Sequence, residues 1–160
     1  MPGIFYQGFT VGTINVVGAQ RYNVPSSPNI INSGFETRAM YGGSPALKIN
    51  TTASGSPTDT FNLLTIRFAL ALNTATGLGS PTAGTVLFVG NKPNGQASVA
   101  YQAQFQYTTG QTEKVTFATA IFPAFVGLKE VFITVTSAIL GVVDSTINPL
   151  IDDVCLSIYG

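Results

Sequence analysis

The sequence predicts an all-β protein, a sandwich or barrel of short strands with polar loops between them. Hydrophobic and polar residues alternate with a period of two in several segments, which is the pattern of strands with one buried face. Clusters of Gly, Pro, Asn and Ser separate these segments and are typical of turns. The length of 160 residues suits one domain with a substantial core.

The clearest alternation lies in segments 61–72 and 99–108. In the first, one face is expected to carry Leu64, Ile66, Phe68, Leu70 and Leu72. In the second, one face is expected to carry Val99, Tyr101, Ala103, Phe105 and Tyr107, and the opposite face Gln102, Gln104 and Gln106. Further strands are predicted at 29–32, 46–50, 85–90, 113–121, 130–138 and 151–159.

Turn chemistry predicts where these strands are connected. Lys92-Pro93-Asn94-Gly95 predicts a tight turn, because Pro fixes φ while Asn and Gly tolerate positive φ. Loops are predicted at 54–57, 77–81, 109–111 and 148–149. The best helix candidate is 118–129, and Pro123 interrupts it.

The first 28 residues differ from the rest and divide the chain into an arm or linker (1–28) and a sandwich (29–160). Two β-prone runs are followed by the stiff linker Pro25-Ser26-Ser27-Pro28. The segment is either the first hairpin of the sandwich or an arm that adds strands to a neighbouring subunit. On the second interpretation, the assembly residues are Ile4, Tyr6, Phe9, Val11, Ile14 and Val16.

The charge content is unusually low for a globular domain. Hydrophobic residues make up 45% of the chain and charged residues 9%, and seven basic residues balance seven acidic ones. A typical domain carries about 25% charged residues. A net charge of zero removes the repulsion that keeps copies apart and favours self-association. The scattered Lys and Arg residues offer no basic stripe for nucleic acid, and no apolar run approaches a membrane span.

The side chains that enzymes most often use for catalysis are scarce in this sequence. The chain has no histidine, so it lacks the commonest general base and any Ser-His-Asp arrangement. Asp152 and Asp153 are adjacent, but neighbours on a strand point to opposite faces and form a poor acid/base couple. We therefore expect no catalytic activity.

Three short motifs lie near the two ends of segment 29–160. They are Asn32-Ser33-Gly34-Phe35-Glu36, Ser44-Pro45-Ala46-Leu47-Lys48-Ile49 and Asp152-Asp153-Val154. Together they resemble the motifs of jelly-roll carbohydrate-binding modules. The resemblance implies a jelly-roll fold for residues 29–160, and similar domains also occur in spore-surface and fibre proteins. With segment 1–28 the expected architecture is a jelly-roll β-sandwich with an N-terminal extension. The resemblance also implies a structural calcium ion held by Glu36 and Asp152. Alternatively, one Asp of the final pair caps backbone amides while the other lies in solvent.

The resemblance also implies a polysaccharide ligand, although the chain has no Trp for stacking on sugar rings. The candidate glycan contacts are Tyr41, Gln102 and Gln104. A solvated outer face or a glutamine ladder between subunits explains the two glutamines equally well. Core packing is the preferred interpretation for Tyr101 and Tyr107.

Cys155 is the one cysteine of the chain and lies in an apolar run. A buried free thiol is expected, and an intermolecular disulfide is the alternative.

Low charge, a polar β-rich surface and the N-terminal segment together favour a structural function. We expect a self-assembling subunit of a filament or of an extracellular, cell, spore or virion surface, present as a homo-oligomer or polymer. The alternative is a non-catalytic carbohydrate-binding module on the same scaffold.

Overall fold

The structure is a computed structural model that describes residues 5–7, 10–13, 22–23, 25, 29–32, 47–50, 59–74, 77–136 and 147–159. Its strands are β1 (Phe5–Gln7), β2 (Thr10–Thr13), β3 (Tyr22–Asn23), β4 (Asn29–Asn32), β5 (Leu47–Asn50), β6 (Thr60–Thr74), β7 (Gly77–Pro81), β8 (Gly84–Asn91), β9 (Val99–Phe105), β10 (Val115–Thr116), β11 (Ala118–Ile121), β12 (Glu130–Thr136) and β13 (Ile147–Tyr159). The all-β prediction is confirmed, while the jelly-roll connectivity stays a prediction.

Two antiparallel sheets make up most of the fold. The first has five strands in the order β1-β5-β12-β8-β9. The second has the order β11-β6-β13-β4-β2, and β7 also pairs with β6. A short parallel pair joins β3 to β10. The order of strands mixes distant parts of the sequence, so both sheets depend on long-range pairing.

Phenylalanine side chains fill the space between the two sheets. The ring of Phe68 on β6 lies 6.2 Å from the rings of both Phe88 and Phe105 on the five-stranded sheet. Phe122, which follows β11, lies 4.9 Å from Phe88 in an edge-to-face arrangement. Such pairs stabilise a core beyond their burial alone. The core therefore lies between the inner faces of the sheets, as in a sandwich.

The alternation predicted for β6 is wrong at two positions. Leu64 and Leu72 are 42% and 43% exposed, although both were expected on the buried face. The pairing of β6 with β13 shifts register near Leu64, where Thr65 faces Cys155 and Leu63 faces Leu156. An irregularity of this kind changes which side chains face inward. Phe61 and Leu63 are consequently buried on one side of it, and Ile66, Phe68 and Leu70 on the other.

Two segments predicted as loops are strands. Residues 77–81 form β7, and Asn148-Pro149 lies within β13 with both residues buried. Pro cannot donate a ladder hydrogen bond and is normally kept out of central strands. Here Pro149 faces Leu70 on β6, and the pairing with β4 begins one residue later, at Leu150. The proline thus precedes the stretch in which β13 has partners on both sides.

The helix candidate at 118–129 is not helical. Its first residues form β11, and Leu128 pairs with Phe61 through backbone hydrogen bonds of 2.8 and 2.9 Å. This segment lies along the edge of β6. None of the helical structure in the described residues is long and apolar enough to cross a membrane.

The predicted turns after β8 and β9 are confirmed. Asn94 and Gly95 have φ of 58° and 68°, the left-handed conformation that these residue types tolerate best. Gly110 has φ of 88°, and the backbone N–H of Gln111 donates to the carbonyl of Thr108. The first turn connects β8 to β9, and the second lies in the loop that follows β9.

Replacing Phe88 by Ala tests the aromatic core. The ring is fully buried and contacts two other phenylalanine rings. We expect Phe88→Ala to lower the free energy of unfolding by about 3–5 kcal/mol, from lost burial and the cavity left behind. Chemical denaturation followed by circular dichroism measures this. The control is Ile121→Ala, at a side chain 61% exposed, which should change the free energy of unfolding by no more than about 0.5 kcal/mol. Equal losses of stability in the two variants would contradict the central place of Phe88 in the core.

Candidate functional site

The N-terminal segment supplies the outermost strand of both large sheets. β1 pairs with β5 at one edge of the five-stranded sheet, and β2 pairs with β4 at one edge of the other. Two residues, Gly8 and Phe9, separate the two strands. The segment therefore passes from one sheet to the other, and each of its strands has one described partner.

The residues predicted for the assembly arm are partly described. Tyr6 faces Ile49 on β5, and Val11 faces Ile31 on β4. The other four predicted arm residues lie outside the described residues, namely Ile4, Phe9, Ile14 and Val16. In this structure the described part of the arm pairs with strands of its own chain.

Tyr22 anchors the segment between the arm strands and the sandwich. Its side chain is 3% exposed, and its hydroxyl donates to the carbonyl of Leu70 over 3.4 Å. Its ring meets that of Phe117 edge to face at 6.2 Å. A core residue thus lies inside the range 1–28. The described residues of that range that lie at the sheet edges are 5–7 and 10–13.

Asp152, which is predicted to hold the metal with Glu36, and its neighbour Asp153 lie at an irregularity of β13. Asp152 is 7% exposed, and its Oδ1 accepts the backbone N–H of Asp153 at 2.9 Å. Asp153 is exposed, has φ of 49°, and places Oδ2 3.4 Å from Nε of Arg67. Asp152 thus accepts a backbone amide, as the alternative interpretation expects of one carboxylate, while Asp153 is exposed and paired with Arg67.

The calcium site stays a prediction. Glu36, the proposed partner of Asp152, lies outside the described residues. Within the described ranges, no three His, Cys, Asp or Glu side chains are grouped as a metal site would need.

The expectation that Cys155 is buried is wrong, because the thiol is free and exposed. Beyond the irregularity at Asp152, β13 pairs with β6 along one edge, and its end carries the exposed side chains of Ile158 and Tyr159. The apolar run that suggested burial therefore lies at the less covered end of the sheet. An intermolecular disulfide through Cys155 stays a prediction.

Strand β9 separates the predicted glycan contacts from the core. Gln102 and Gln104 are exposed on its outer face. On its inner face, the ring of Tyr101 packs 5.3 Å from that of Phe122. Tyr107 is also half-buried against the core, so core packing is confirmed for both tyrosines. Tyr41 lies outside the described residues.

A pocket of about 350 Å³ lies beside the loop that follows β9, and the sequence patterns did not predict it. Its lining includes Pro81, Tyr107, Gln111, Glu113, Lys114 and Val115. Nε2 of the Gln111 side chain donates to the backbone carbonyl of Glu113 over 3.4 Å. One available signal was the adjacent pair Glu113-Lys114, which follows a turn in a chain with few charges. The meeting of this loop with Pro81 is a long-range contact that no local pattern shows.

Charges on the outer face of the five-stranded sheet neutralise one another. Lys48 Nζ lies 3.3 Å from Oε2 of Glu130 and 5.5 Å from the centre of the Phe132 ring. Asn91 donates to Oε1 of the same carboxylate over 3.2 Å. The face is consequently close to neutral, with half-buried apolar side chains between the polar ones.

Comparison with known proteins adds no relative. No protein-family model, curated protein or solved structure matches the chain. Three features of the chain itself remain as candidate sites: the N-terminal edge strands, the outer edge of β9 and the pocket at Tyr107.

Proposed function

We propose that the chain is a structural subunit that self-assembles through its N-terminal segment, in a filament or at an extracellular, cell, spore or virion surface. The observation that carries the proposal is the position of β1 and β2 as edge strands of the two sheets. Each pairs with one described strand through backbone hydrogen bonds. The same bonds can form with β5 and β4 of a neighbouring copy, so exchange of the segment preserves them.

The connection to the core is long enough for such an exchange. Eight residues separate Thr13, the end of β2, from Tyr22 in the core. An extended segment of that length spans roughly 26–29 Å. Tyr22 can therefore keep its place in its own core while residues 5–13 pair with a neighbour.

The surface chemistry supports close packing of copies. The formal net charge is zero, and two of the exposed or half-buried acids, Glu130 and Asp153, already have basic partners. Copies of such a subunit experience little mutual repulsion. Polymerisation by arm exchange would then be limited mainly by the opening of the segment in the monomer.

A disulfide between β1 and β5 reports whether the segment is exchanged. Gln7 faces Lys48 directly across these strands. In a Cys155→Ser background, the double variant Gln7→Cys, Lys48→Cys should form one disulfide wherever β1 pairs with β5, within one chain or between two chains. Exchange predicts a ladder of covalent oligomers on a non-reducing gel after mild oxidation. If the N-terminal segment stays paired with β5 of its own chain, the gel shows a single monomer band with an internal disulfide. That result would contradict the proposal.

The matched control moves the second cysteine. Leu87, like Lys48, is half-buried on the outer face of the same sheet, but it lies on β8. It is three strand spacings from Gln7, roughly 14 Å, which is too far for a disulfide. Gln7→Cys with Leu87→Cys should therefore remain monomeric.

Carbohydrate binding is the second candidate function, and the Tyr107 pocket supports it. Its volume lies at the small end of the range of ligand sites. Tyr107 and Pro81 offer apolar surface for a sugar ring, and within the described part of the chain Glu113 and Lys114 form no ion pair. Their charged groups are thus available to accept from and donate to hydroxyls.

The variant Tyr107→Ala tests this second function. We expect it to weaken polysaccharide binding at least tenfold, because the ring that would stack on the sugar is removed. Affinity electrophoresis of the full chain against a panel of polysaccharides measures the effect. Tyr159→Ala, at an exposed tyrosine on β13, is the control and should bind normally. No retardation of the unaltered protein by any polysaccharide would contradict this function.

A further inference from the structure

The outer edge of β9 is the longest regular strand edge without a partner among the described residues. β9 is the last strand of the five-stranded sheet, at the side opposite β1. It pairs with β8 in continuous register from Val99 to Phe105, with no bulge. An edge strand of this kind presents backbone N–H and C=O groups that another strand can pair with.

The β9 edge lacks the features that normally prevent edge-to-edge pairing. Such features are charged side chains, proline, bulges or a very short strand. β9 has seven residues and none of these features. The surrounding stretch from Pro93 to Thr112 contains no charged residue at all.

We propose that β9 pairs with β9 of a second copy, antiparallel about a two-fold axis at Gln102. The two five-stranded sheets then form one continuous sheet across the contact. A second copy fits this edge because the stretch carries no charge, so identical strands meet without like-charge repulsion. A two-fold contact also needs a single surface on each chain.

The faces of β9 determine the register of this pair. Ala103 and Phe105 are buried on the inner face, and Gln102 and Gln104 are exposed on the outer face. Inner residues must pair with inner residues to keep both cores intact. With Gln102 opposite the partner's Gln102, all seven residues of β9 are paired, Tyr101 lies opposite the partner's Ala103, and the glutamine amides meet at the axis. A shift of one strand by two residues loses two of the seven pairs.

The end of β13 also has an edge with no partner among the described residues, and it is a weaker candidate. Its regular part, Cys155–Tyr159, has five residues and follows a register shift. The exposed ion pair of Arg67 with Asp153 lies beside it. β9 is longer, regular and uncharged, so it is the better surface for strand addition.

The β9 contact goes beyond the proposed arm exchange and does not require it. β1 and β9 lie at opposite edges of the same sheet, roughly 19 Å apart. One chain can therefore exchange its N-terminal segment at one edge and pair through β9 at the other. The first contact would build a chain of subunits, and the second would join such chains side by side.

A single cysteine at the axis tests the β9 pair in the full chain. In a Cys155→Ser background, Gln102→Cys places each thiol opposite its copy, at a separation that a disulfide can span. We expect mild oxidation with copper–phenanthroline to convert most of the protein to a covalent dimer. Each chain has one cysteine, so arm exchange cannot produce a longer ladder in this experiment.

The control is Gln104→Cys in the same background, on the same exposed face of β9. In the proposed register it lies opposite the partner's Ala100, and the two introduced thiols are four residues apart along the strands, roughly 13 Å. It should remain monomeric alone and form a dimer when mixed with Ala100→Cys protein.

Three results would overturn the β9 pair: no dimer from Gln102→Cys, equal dimer from Gln104→Cys alone, or dimers that disappear on dilution into the low micromolar range. If Gln102→Cys forms no dimer but Gln7→Cys, Lys48→Cys forms a ladder, the β9 pair is wrong and the arm exchange is supported. If Gln102→Cys forms a dimer but the double variant forms no ladder, the arm exchange is wrong and the β9 pair is supported.

Discussion

Sheet edges that have no strand partner among the described residues are the constraint on which the rest of this account depends. A closed barrel has no edges, whereas a sandwich has several, and each edge can accept another strand. Here the N-terminal strands β1 and β2 occupy one edge of each sheet, and β9 and β11 occupy the others. Charged side chains commonly block such edges, but only 9% of this chain is charged. Edge chemistry and composition therefore favour association between copies.

The core joins the two sheets whose edges the proposed contacts use. Phe68, Phe88 and Phe122 connect the inner faces of the two sheets, and Tyr22 ties the N-terminal segment to the same core. In the proposed exchange, β1 and β2 leave their own chain while Tyr22 stays in this core. The inner face of β9 lies against this core, and its polar outer face points away from it. This difference between the faces sets the register of the proposed β9 pair.

Hydrophobic alternation and turn residues predicted the features of the fold that neighbouring residues in the sequence determine. The alternation of β9 and the turn at Asn94-Gly95 were correct because side-chain periodicity and backbone preference determine them. The exposure of Leu64 and Cys155 was not predictable, since both follow from a register shift between β6 and β13 that joins distant segments. The Tyr107 pocket was missed for a similar reason, because its walls meet only in the folded chain. Glu36 and Tyr41 lie outside the described residues, so the calcium ion and that glycan contact stay predictions.

The most direct test of the central claim is negative-stain electron microscopy of the full chain over a range of protein concentrations, beside a variant that lacks residues 1–13. The truncated variant keeps Tyr22, and circular dichroism can establish that it remains folded. Self-assembly through the N-terminal segment predicts regular polymers of the full chain and none longer than a dimer of the truncated one. Monomers of the full chain at every concentration, or equal polymers of both proteins, would contradict it.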